Sequence, residues 1–139
     1  MGSLLSISKR LAEIAEVRAA SMNVSVSITV VDIHGNLVFT ERMTGAPLVS
    51  LEMAHRKAYT AALLRMTTQE VAALAQPGKP LDTITSVAGG RFVTFGGGAP
   101  LLVDGEVVAG AGVSGGTVEQ DTEIIDWAVA GLRDDAGGR

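Results

Sequence analysis

The amino-acid sequence predicts an α+β domain, a five-stranded antiparallel sheet flanked by helices, in the order α-β-β-α(α)-β-β-β-α. Three observations carry this expectation. Apolar residues recur at helical spacing in separated stretches of the chain. Strand-like stretches come in a cluster of two and a cluster of three, joined by tight turns. No helix-length stretch lies between the strands of a cluster, where a parallel sheet would need one. A chain of 139 residues suits one hydrophobic core, placed over residues 1–133, with 134–139 as a polar C-terminal tail.

The first helix is expected over Ser3–Ser21, where Leu4, Ile7, Leu11, Ile14 and Ala15 share one face and Lys9, Arg10, Glu13 and Glu16 fill the opposite one. From Val24 the spacing becomes alternating. Val24, Val26, Ile28 and Val30 interleave with Ser25, Ser27 and Thr29, the pattern of a strand with one buried face. Asp32–Asn36 forms a turn in which Gly35 can take a positive φ, and Leu37–Arg42 returns as the second strand of a hairpin. Met43–Leu48, with Gly45 and Pro47, reads as a loop. Ser50 is then expected to cap a helix running to about Met66, whose Ala54, Ala58, Ala61 and Ala62 suit close approach. Thr67 and Glu70 have capping-box spacing for a short helix through Leu74, which Pro77, Gly78 and Pro80 end. Residues 81–90 carry no clear pattern. Three strands are expected next, Arg91–Phe95, Leu101–Val103 and Glu106–Val113, divided by a Gly96–Pro100 turn and by Asp104-Gly105. Thr117 and Gln120 make a second capping-box pair ahead of a final helix that carries Ile124, Ile125, Ala128, Val129 and Leu132 on one face.

Composition narrows the function. No stretch approaches the roughly 20 apolar residues of a membrane-spanning helix, and Met1–Arg10 lacks the pattern of a secretory signal, so a cytoplasmic protein with no membrane partner is expected. The net charge of −4 mixes both signs without a Lys/Arg cluster, which argues against a nucleic-acid partner. With no cysteine there is no disulfide, no thiolate nucleophile and no cysteine-ligated metal. Only two histidines remain as nitrogen ligands. A nucleophile-elbow serine, a phosphate loop and a dinucleotide fingerprint are missing as well.

The run Val30-Val31-Asp32-Ile33-His34-Gly35-Asn36-Leu37, followed by Arg42-Met43-Thr44-Gly45-Ala46 and Ser50, resembles the signature of the GlcG/HbpS family, which includes the C-terminal domain of PduO-type proteins. Ala54, Lys57-Ala58, Thr60-Ala61, Gly97-Gly98-Ala99-Pro100-Leu101, Gly110–Gly115 and Asp121 continue the likeness in order over nearly the whole chain. The resemblance implies a profilin-like fold, a homo-oligomer and, as in several members, haem as a bound cofactor. Thr44 stands where the family usually has Asp, so any role of that carboxylate does not carry over.

His55 lies one helical turn before Tyr59, which places imidazole and phenol on one face. His55 could ligate haem iron, or the pair could act as acid and base, and the same spacing also describes a solvent- or subunit-facing pair. Arg42 and Lys57, at positions that match the family, could hold a ligand carboxylate or pair internally with Asp32 and Asp121. Gly97 and Gly98, and the Ser114-Gly115-Gly116 stretch that leads into the last helix, could present backbone N–H groups to an anion, or serve only tight turns and close packing. His34, in a hairpin loop, is expected at the surface. Three functions compete. One is a small-ligand-binding protein for haem or a similar planar anion; the second is a cofactor-free isomerase, lyase or hydratase acting on a small organic acid or carbonyl compound; the third is a purely structural or accessory subunit.

Overall fold

The computed structural model describes residues 2–137, with side chains through Asp135. Ser3 caps helix α1 (Leu4–Ser21) by accepting the Ser6 N–H at 3.1 Å, and Leu11, Ala12, Ala15 and Ala19 form its buried stripe. Strands β1 (Ser27–Asp32) and β2 (Leu37–Arg42) make the expected hairpin. Asp32 closes the turn by accepting the N–H groups of Asn36 and His34, and these bonds, that of Asn36 foremost, hold its carboxyl below the usual range. Helices α2 (Val49–Leu64) and α3 (Thr68–Leu74) follow. Strands β3 (Gly98–Val103) and β4 (Glu106–Ser114) and helix α4 (Val118–Gly137) complete the order. Both capping boxes form, Thr67 with Glu70 and Thr117 with Gln120.

The sheet has four strands, not the expected five, in the all-antiparallel order β2-β1-β4-β3. Arg91–Phe95 does not join it. Ala88, Gly89 and Gly90 take left-handed φ values of 55°, 66° and 77° and redirect the chain beside α2, where Val93 gives its N–H to Thr60 Oγ1 at 3.0 Å instead of to a strand. Phe92 and Val93 are buried all the same, so the segment has the composition of a strand without its ladder. Gly98–Pro100, expected as turn, is the first half of β3. As β3 is an edge strand, the missing N–H of Pro100 can face away from the ladder.

Helices α1 and α4 cover one face of the sheet, packing Leu11, Ala15, Ile124 and Ala128 against Ile28, Val30, Ala111 and Val113. Helix α2 covers the other. The polar side of β1 is therefore buried and not solvated. Ser27 and Thr29 are fully enclosed, and their hydroxyls pair with Ser50 at 2.7 Å and Thr40 at 2.8 Å, which removes the cost of burying them. Ser50 consequently does not cap α2, whose N-cap position is Leu48. Close approach decides this layer. A Cβ on Gly112 would stand 2.7 Å from the Ala58 nitrogen and 2.9 Å from Lys57 Cβ and would overlap the Ala54 carbonyl, so the helix rests directly on the strand.

Helix α4 runs on through residues 134–137 of the expected polar tail, and Asp135 pairs with Arg10 at 2.6 Å. Residues 138–139 of that tail lie outside the described ones. Among the described residues no helix is long and apolar enough to cross a membrane.

Candidate functional site

Lys57 heads the fully buried side chains by volume. Its Nζ crosses from α2 to the start of α4, donates to Asp121 Oδ2 and to the Val113 carbonyl, each at 2.9 Å, and stands 5.3 Å from the centre of the Phe95 ring. The other Asp121 oxygen accepts the Gly116 N–H at 2.9 Å. Gly97 makes room for this arrangement: its φ is +124°, and a Cβ there would stand 2.6 Å from Nζ. Burial draws the Lys57 ammonium below the ordinary lysine range, and the Asp121 carboxylate opposes that shift.

Around this pair the structure gathers several of the residues singled out in sequence. Gly98 gives its N–H to Thr68 Oγ1 at 2.8 Å and lies against the Lys57 carbonyl. Ser114 is buried opposite Ser27. A Cβ on Gly115 would overlap the Ser25 carbonyl, and the Thr117 N–H goes to Gln120. The cation that fills the glycine-lined space is thus the protein's own lysine, and the Gly116 and Thr117 amides at the entrance of α4 already have acceptors.

His55 and Tyr59 lie on the outward face of α2. His55 is exposed and has no hydrogen-bond or ion-pair partner among the described residues. Tyr59 is half-buried, its ring 5.5 Å from Phe92 and 4.6 Å from the Arg91 guanidinium. Arg56 pairs with Glu52 at 3.1 Å and donates to the Gly90 carbonyl at 2.9 Å. Two arginines therefore tie the 84–91 segment to this face, and sequence reading singled out neither. The Glu52–Arg56 spacing is the signal that could have found Arg56. The place of Arg91 depends on the left-handed turn before it, which no local pattern announces. Leu48 and Leu63 continue the stripe of Glu52, His55 and Tyr59 and are exposed, as is Val87 on the adjoining segment. Arg42 stands elsewhere, exposed at the end of β2 with a 3.0 Å bond to the Ala46 carbonyl. His34 is exposed in the hairpin turn.

Haem binding calls for an axial donor, apolar contact for the ring and cations for the propionates. The α2 face has a free imidazole, exposed apolar side chains and two guanidinium groups, so its donor set fits, but it is a wall and not a pocket. Grooves on the described surface include one of about 710 Å³ between α3 and α4 and one of about 830 Å³ between α1, the β3–β4 hairpin and the end of α4. Neither is lined by His55, Tyr59, Arg42 or Lys57. No cluster of three or more His, Cys, Asp or Glu side chains that could hold a bare metal ion occurs among the described residues.

A small antiparallel sheet clad by helices on both faces defines an α+β domain, and its His55 imidazole lies exposed on a helix surface. The family model described as "Haem degrading protein HbpS-like" matches residues 5–130, and the chain belongs to that family. It is 44% identical over 115 residues to the corrinoid adenosyltransferase PduO of Salmonella typhimurium, a match covering 83% of this chain but only 34% of that protein. The chain thus spans about a third of that relative's length. Among solved structures it is similar to the PduOC:heme complex, with a TM-score of 0.87 and 40% identity over 94% of each chain. It is also similar to HbpS, with a TM-score of 0.85 and 30% identity over 95% of this chain and 91% of that one.

Proposed function

We propose that this protein binds haem, or a planar anion of that kind, on the outward face of α2, with His55 as the axial donor and Arg56 and Arg91 as carboxylate anchors. The observation that carries this reading is an exposed imidazole with no partner among the described residues, on a helix that also carries Arg56 and packs Tyr59 against the Arg91 guanidinium. The likeness to a protein crystallised with haem supports the choice of ligand. Bound there, haem would supply its own iron chemistry. The chain's residues bind and orient. His55 offers its free nitrogen, and Arg56 exchanges its exposed pairing with Glu52 for a ligand carboxylate. Tyr59, held between Phe92 and Arg91, keeps the 84–91 segment against the helix. Lys57 and Asp121 are positioning residues in this scheme, anchoring α2 from inside through the glycine-lined space. A second copy of the chain closes the open side over Leu48, Leu63 and Val87.

Titration of the purified chain with hemin tests the reading. A saturable Soret shift at micromolar hemin is expected, lost in His55→Ala and weakened about tenfold when Arg56 and Arg91 are both replaced by Ala. No shift, or a shift undiminished in His55→Ala, overturns it.

A further inference from the structure

The groove between α3 and α4 has a lining that selects the charge of a ligand. Phe95, Val118 and Trp127 form its apolar wall. Trp127, the single tryptophan of the chain, is 54% exposed. Every charged residue of the lining is a carboxylate: Glu119, Glu123 and Asp126. Only one of them is neutralised. Arg18 reaches across from α1, pairs with Glu123 at 3.0 Å and lays its guanidinium 4.3 Å from the centre of the Trp127 ring. Arg18 Nε is buried with no hydrogen-bond acceptor, so this part of the guanidinium is held against the indole and not by a hydrogen bond. The protein thus shows on its own wall the contact that a guest cation would repeat. Glu119 and Asp126 have no ion-pair or hydrogen-bond partner among the described residues.

We propose that this groove is a binding site for a small organic cation, an ammonium group on a compact aromatic or aliphatic body. Its volume of about 710 Å³ falls within the range of small-molecule sites, about 300–1,000 Å³. The two unneutralised carboxylates attract a cation and repel an anion, and the apolar wall removes the ligand's body from water. A neutral ligand gains only the second effect. The site is separate from His55, and the proposal stands independently of the haem reading.

Trp127 provides the readout. Its emission is followed while the full chain is titrated with benzyltrimethylammonium chloride, with benzyl alcohol as the neutral probe and sodium benzoate as the anion. Saturation by the cation is expected with a Kd below about 1 mM, binding at least about fivefold weaker for benzyl alcohol, and no response to benzoate. Glu119→Gln with Asp126→Asn should weaken the cation about tenfold, and His55→Ala should bind it as the unaltered chain does. A thermal upshift with the cation gives a readout that does not depend on the indole. The proposal is overturned by no saturable response, by equal responses to the cation and benzyl alcohol, by full affinity in the double carboxylate variant, or by self-association that buries Trp127 as protein concentration rises.

Discussion

The Lys57–Asp121 pair permits the sharpest mutational test of the fold. Its side chains are 1% and 4% exposed, so neither charge can return to water without moving α2 or α4. Removing one member of a buried pair costs about 3–5 kcal/mol, because the other charge is left uncompensated. Lys57→Met removes two of the three hydrogen bonds at the site and leaves the Asp121 carboxylate with the Gly116 N–H alone, which sets its cost at about 4 kcal/mol. Asp121→Asn keeps an acceptor for Gly116 and strands the ammonium instead. Because burial already draws Lys57 below its ordinary value, that group can release its proton, and the loss stops at about 3 kcal/mol. With both changes no charge remains buried. The double variant should therefore be about as stable as the worse single, a coupling of about 3 kcal/mol. Urea unfolding followed by circular dichroism measures all four proteins, and the Lys57→Met melting temperature should fall by about 10 °C. A lysine whose folded value lies below its unfolded one favours the folded state increasingly as pH rises between the two, the upper end being the ordinary 10.5. The Asp121→Asn deficit should accordingly shrink towards alkaline pH. Single losses under about 1 kcal/mol that simply add would refute the reasoning.

Further expectations concern the sheet and the caps. Gly112→Ala should cost about 3 kcal/mol or displace α2, since its Cβ meets helix backbone and not a movable side chain; urea unfolding measures the loss. Thr67→Ala should cost about 1 kcal/mol through the lost capping box of α3, read by the same method. Burial first, and then the neighbouring Glu16, raise the Glu41 carboxyl above its usual range. Its contribution is therefore favourable in acid and is lost as pH rises through the folded value, so Glu41→Gln should raise the urea midpoint at neutral pH and show no gain in acid. Asp32, whose folded value is lowered, behaves oppositely. The advantage over Asp32→Asn should be present near neutrality and disappear as pH falls through that value, as unfolding midpoints across the acid range would show.

What could be read from the sequence was what is local. Thr67 with Glu70 and Thr117 with Gln120 announce their helices within one turn of chain, and the alternation around the Asp32–Asn36 turn announces a hairpin. The fifth strand failed because burial and extension are visible in Phe92 and Val93, whereas the partner of Val93 is the Thr60 side chain, 33 positions away. Ser27 and Thr29 looked like a solvated face because their alternation is polar. A cover of Ala54, Ala58 and the strand glycines has no hydrophobic signature strong enough to reveal a second layer. At the candidate site, Lys57 with Asp121 was legible only as one of several pairings, and choosing it required the approach of α2 to β4. Arg91 was illegible because it reaches Tyr59 only after Ala88, a residue with a Cβ, adopts a left-handed conformation.

A crystal structure of the haem-loaded protein tests ligand binding at the α2 face most directly. It should show His55 on the iron, the propionates beside Arg56 and Arg91, and the Lys57–Asp121 contact intact beneath. Iron held by His34, or haem lodged in the groove beside Arg10 with His55 free, would contradict it.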